Sequence, residues 1–161
     1  MAVKKGEESG KPEQEAAPLR GAALAAGLLE EAWDLSGPGL PHLRAGVTRE
    51  LARDLRSELE ALAGTALDFS LTDARVEGAL RAADVANLAA ASLAELPKAN
   101  VRKAAASAHL AAGAARALCA LIGDADTGEG RADYVLKDAR SAAWRAGLAA
   151  RQTDEALENM G

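Results

Sequence analysis

The chain has 161 residues, a formal net charge of −5 and one Cys; 49% of it is hydrophobic, yet aromatics make up only 2%, and Ala alone fills 42 positions. That length suits one domain able to bury roughly two thirds of its unfolded surface. The shortage of aromatics excludes a β-sandwich or barrel, while Ala, Leu, Arg and Glu are the strongest helix formers. An all-α fold is expected. A pI near 5.1 argues against general nucleic-acid binding, which needs a basic face to displace counterions. The single Cys119 cannot form an internal disulfide. The N-terminal residues contain no apolar signal-like run. The longest charge-free run, Ala104 to Ala115, is short of the ~20 residues that span a bilayer. A cytoplasmic location without membrane contact is expected.

Residues 1–17 are mostly Lys, Glu, Gly, Ser, Gln and Pro, with too little to bury to offset the entropy of ordering, and are expected to form a disordered tail ahead of a single helical domain over 18–161. Pro18 suits the first turn of helix 1, expected to run to Leu35 with Leu24, Leu28, Trp33 and Leu35 near one side. The Gly- and Pro-rich stretch from Ser36 ends it and leads through an irregular connection, 36–47, containing His42. Thr48 can cap helix 2, expected to Phe69, with Leu51, Leu55, Leu59, Leu62 and Ala66 as its apolar stripe. Helix 3 is expected from Ser70 or Thr72-Asp73 to Leu96, stopped by Pro97, and helix 4 from Lys98 or Asn100 to Ile122, with Gly123 as its left-handed C′ residue. Asp124 to Gly130 reads as a loop. Helix 5 is expected over Arg131–Asn159, with Val135, Ala139, Ala142, Ala146, Ala149 and Ala156 on one face.

Matched rods with one apolar stripe each assemble as an up-and-down antiparallel bundle of four to five long Ala-rich helices. Ala stripes let backbones approach to about 8 Å but contribute little burial per residue. Helices 3 and 4 are apolar around most of their circumference, which predicts a second covered side and hence a homodimer.

Chemistry-bearing residues are sparse. No Glu-x-x-His occurs, which excludes a ferritin-like di-iron centre. His109 and Cys119 lie on different sides of helix 4, and the loop from Asp124 has Glu129 and Val135 where a calcium loop needs Gly and Glu. No metal and no cofactor are expected. There is no nucleophile elbow, phosphate loop or dinucleotide fingerprint. Two polar rows remain. Helix 3 carries Glu77, Arg81, Asp84 and Asn87 on one face, within mutual reach. Helix 5 carries Tyr134, Asp138, Ser141, Arg145 and Gln152, and Arg145 beside Trp144 could hold a carboxylate. Each row reads either as a binding surface or as a solvated face. The same holds for Arg131, Lys137, Arg140, Arg145 and Arg151 of helix 5, which alternate with acids.

The stretches Leu80-Arg-Ala-Ala-Asp-Val-Ala-Asn-Leu and Asn100-Val-Arg-Lys-Ala-Ala-Ala-Ser-Ala-His-Leu-Ala-Ala-Gly, with the polar turn and amphipathic helix after them, give residues 80–157 a resemblance to the helical cyclodeaminase/cyclohydrolase family. That resemblance implies an all-helical dimer acting on folates. The family's Pro-x-Pro-Gly-Gly-Gly-Ser segment has no counterpart: Ala16-Ala-Pro-Leu-Arg-Gly lacks the glycine run and the Ser, so no catalytic residue carries over. Two readings result. One is a homodimeric helical-bundle protein acting through protein–protein contacts. The alternative is a small-molecule enzyme or binder, folate-related, with a polar site of Glu77, Arg81, Asp84, Asp138 and Arg145 between helices 3 and 5.

Overall fold

The computed structural model describes residues 2–34, 43–65, 71–125 and 131–161, with side chains over 16–34, 45–64, 73–122 and 134–161. It is an all-α bundle of five helices: α1 (Ala2–Ala32), α2 (Leu43–Thr65), α3 (Leu71–Ser92), α4 (Lys98–Ala125) and α5 (Arg131–Met160). Cross-links fix their directions. Ala25 and Ala32 of α1 bond to Ser107 and Asn100 of α4, so α1 and α4 are antiparallel. Asp34 and Glu30 reach Arg49 and Arg53, which makes α1 and α2 antiparallel. The short turn 93–97 reverses α3 into α4, and His109 meets Asp154 across α4 and α5.

Around α3, the only helix that touches all four others among the described residues, lie α2, α1, α4 and α5 in that order. The helices therefore form two triangles, α1–α2–α3 and α3–α4–α5, that share α3 and are joined by the α1–α4 contact. This arrangement changes the meaning of the apolar excess. Ala104, Ala105, Ala108, Ala111, Ala112, Ala115, Leu118 and Ile122 of α4 are all buried within one chain, against α1, α3 and α5. The covering expected from a second molecule is supplied by α1. By length and composition α4 could also cross a membrane over Lys98–Ile122, and half of its most apolar stretch is buried in the bundle. Counting uninterrupted runs hid this, because single cations break a run without making the helix polar.

Six large side chains, Leu19, Leu29, Leu59, Val85, Leu118 and Ile122, are fully enclosed among alanines. At one end Trp33 donates from its indole nitrogen to Ser92 Oγ at 2.8 Å, Ser92 donates onward to the Leu88 carbonyl, and Asn100 Nδ2 donates to the last carbonyl of α1. The Asn100 amide thus satisfies a helix-end carbonyl that would otherwise be orphaned, and the buried indole N–H finds its own partner in Ser92.

Several expected boundaries move. Helix 1 is described from Ala2, and Ala16 is already buried in the core. Its inward stripe is Leu19, Ala22, Ala26, Leu29 and Trp33, whereas Leu24 points outward at 65% exposure. Thr48 lies inside α2, which starts at Leu43 because Ala45 packs into the cluster around Trp33. The α2 stripe is rotated as well: Ala45, Ala52, Leu59 and Ala63 are buried while Leu51 is half-exposed. α3 ends at Ser92, followed by a tight turn closed by the Glu95 and Leu96 amides on the Ser92 carbonyl. α4 runs through Gly123 to Ala125, so Gly123 is not its C′ residue. Arg75 of α3, itself buried, donates to the Leu121 carbonyl at 3.3 Å and sets a cation at the negative end of α4, which supports the extra turn. His42 and the loop residues 126–130 lie outside the described residues.

Candidate functional site

The helix-3 row exists as a surface network. Arg81 Nε lies 2.9 Å from Glu58 of α2 and 3.9 Å from Glu77, and its Nη1 lies 3.7 Å from Asp84. All four side chains are about half exposed, so the network resembles surface ion pairs that contribute about 0–1 kcal/mol each. It bridges α3 to α2. Asp138 and Arg145 of α5 are exposed, and among the described residues no ion pair joins them to the α3 row. The five residues expected to converge between helices 3 and 5 are therefore divided between one α2–α3 network and one open face of α5.

A cleft of about 990 Å³ lies elsewhere, over α1. Leu24, Gly27 and Leu28 form its floor, Arg49, Arg56, Glu60 and Gly64 of α2 one wall, and Leu110 of α4 the edge opposite. Beside it Glu30, 9% exposed, accepts from Arg53 Nε at 3.0 Å, while Arg56 Nη1 stands 3.0 Å from its other oxygen without the alignment of a hydrogen bond. Two guanidinium groups offset the desolvation of this carboxylate. Gly27 matters here: the aliphatic part of Arg56 passes at van der Waals distance from where its Cβ would be, so the Arg56 stem lies directly over α1 at this point. The sequence reading missed this cleft. Arg53 and Arg56, three residues apart and able to straddle one acid of a neighbouring helix, were the available signal.

On the far side of the bundle, α5 buries Ala139, Ala142, Ala146 and Ala149 and turns the opposite face outward. That face carries Tyr134 at 76% exposure, Trp144 at 63%, and the exposed cations Lys137, Arg140, Arg145 and Arg151. Among the described residues none of these cations is held in an ion pair.

His109 Nε2 meets Asp154 at 2.6 Å on the exposed α4–α5 seam, tying the two helices together at the surface. Cys119 is partly buried and unpaired. Among the described residues no three His, Cys, Asp or Glu side chains are grouped to hold a metal ion. Compared with known protein families and with curated proteins, the chain matches none.

Proposed function

We propose that this protein works through protein–protein contacts as a homodimer, and that the second copy docks on the outward face of α1. The observation that carries the reading is Leu24, a large apolar side chain 65% exposed on the same outward face of α1 as Gly27 and beside the cleft. An antiparallel two-fold pairing of α1 centred between these residues brings Leu24 against the partner's Gly27 and the aliphatic part of Arg56 that passes over it. The same register brings Arg20 opposite the partner's Glu31. A two-fold contact is self-complementary in this way, each pair occurring twice. Glu31 already has Lys103 at 3.9 Å, an exposed pair weak enough to be exchanged. Leu110 at the cleft edge, 39% exposed, extends the apolar patch.

Sedimentation of the full chain tests this reading. The parent is expected at twice the 16.4 kDa chain mass, and Leu24→Asp at the monomer mass with unchanged circular dichroism, since nothing buried is altered. Arg20→Glu alone should weaken the dimer by about tenfold, ~1.4 kcal/mol, and Arg20→Glu combined with Glu31→Arg should restore it. A monomeric parent at high micromolar concentration, or a Leu24→Asp dimer as tight as the parent, would overturn the proposal.

A further inference from the structure

The outward face of α5 has no role in that pairing. It lies on the other side of α3 from α2, and its chemistry is unlike the rest of the surface. The sequence contains four aromatic residues, and two of them, Tyr134 and Trp144, stand on this face, well exposed. Burying a Trp stabilises a domain more than burying any other single side chain of this chain would, and Trp33 is used in that way, enclosed and hydrogen-bonded. Trp144 is left in water. Around it, over residues 134–151, four cations face a single acid, Asp138, in a protein whose net charge is −5. Asp133 precedes this stretch and Asp154 and Glu155 follow it, so the positive potential is confined to about five turns of helix.

Trp, Tyr and Arg are the residue types that dominate binding energy at interfaces. Here they occur together, on one long helix, with no ion pair to the cations among the described residues, and with the cations spaced along both flanks of the aromatic row. We infer that the α5 face around Trp144 docks an acidic amphipathic segment of another protein. The apolar side of that segment covers Trp144, Leu148 and Tyr134, and its carboxylates reach Lys137, Arg140, Arg145 and Arg151. Such a partner satisfies each part of the face: an aromatic centre that gains from leaving water and flanking guanidinium groups that donate to carboxylates in bidentate fashion. Charge complementarity selects a protein over a nucleic acid. The basic strip is one helix wide, and the acidic remainder of the molecule repels a polyanion that extends past it.

This inference is independent of the α1 pairing, and its test leaves α1 untouched. The full chain is titrated with three probes: a Leu- and Glu-containing amphipathic peptide of about 18 residues, five helical turns, the same peptide with every Glu replaced by Lys, and a single-stranded oligodeoxynucleotide of similar length. Trp144 emission and its shielding from iodide are recorded, with Trp144→Phe identifying the Trp33 contribution. The acidic peptide is expected to shift Trp144 emission to shorter wavelength and protect it from quenching. Arg140→Glu with Arg145→Glu should weaken its binding at least about tenfold. Raising the ionic strength from about 0.1 M to about 1 M, which shortens the screening length from about 10 Å to about 3 Å, should weaken it in the same direction. Trp144→Ala, which removes the apolar anchor, should cost a similar factor, read by peptide anisotropy. Equal binding of the Lys peptide, tighter binding of the oligonucleotide, or no protection of Trp144 at millimolar peptide overturns the inference. Circular dichroism and the sedimentation mass of each variant separate a lost face from a lost fold.

Discussion

Gly78 of α3 faces the Leu19 side chain of α1. A Cβ built there would overlap the Leu19 side chain and lie 3.2 Å from Leu118. Leu19 and Leu118 are both fully enclosed, so neither can swing aside without disturbing the core. Gly78→Ala is therefore expected to destabilise by about 1–3 kcal/mol, despite the better helix propensity of Ala. Combining it with Leu19→Ala should cost less than the two separate losses added together, since the smaller side chain relieves the overlap. Urea unfolding midpoints of the two single variants and the double variant check both statements. At this scale the sequence was silent: a Gly inside an Ala-rich helix shows neither which helix approaches it nor how closely.

At the scale of the helix, chain ends proved harder to read than chain middles. The three-to-four-residue recurrence of apolar positions set the number and order of the helices, and in α5 the buried Ala139, Ala142, Ala146 and Ala149 are the residues the pattern marked. Ends depend on partners remote in sequence. Gly123 looked like a stop because Gly favours the left-handed C′ position, yet α4 passes through it to Ala125 with Arg75 donating to Leu121. In a helix interior Gly costs roughly 0.5–1 kcal/mol relative to Ala. Gly123→Ala should accordingly stabilise by about that amount, the opposite sign to a left-handed cap, as read from the melting temperature. The α3 row was similarly half legible. Its spacing announced the Glu77–Arg81–Asp84 ladder, but the nearest partner, Glu58, arrives from another helix. The Glu30 cluster depends on α1 and α2 lying side by side, which no local pattern encodes. Leu24 and Trp33 were placed near one side of helix 1, yet α1 has two apolar columns, and only packing decides that Trp33 faces inward and Leu24 outward.

For the molecule as a whole, one chain buries much of the α4 surface that the sequence had assigned to a second, while Ala106 and Leu110 stay exposed. Ala108 is fully buried within the single chain. Ala108→Glu would place an unpaired charge where water cannot follow, so it is expected to cost several kcal/mol of the about 5–15 available. It should unfold monomer and dimer alike in a circular dichroism melt, and it therefore reports on the core rather than on assembly. The exposed Leu24→Asp is the variant that separates the two. The N-terminal end gives a further test at this scale. Ala16 belongs to the core cluster, whereas the residues before it are polar by composition. Deletion of residues 1–15 is expected to leave the melting temperature unchanged, and a drop of several degrees would show that this stretch docks on the bundle.

The two triangles that share α3 also bear on how the chain reaches this state. Each triangle is built from three consecutive helices, so each can close with short loops, the condition under which helical domains fold fastest. The link between them is different: Ser107 meets Ala25 across 82 residues. Joining α1 to α4 is the long closure, and it gains its full contact area only once both triangles have formed around α3. Native-state hydrogen exchange should therefore find α3 protected at the level of global unfolding. Amides of α2 and of the outer part of α5 should exchange through smaller openings. Core truncations in α3, such as Val85→Ala, should slow refolding, because both units have that helix in common, while equally destabilising truncations in α2 should mainly speed unfolding.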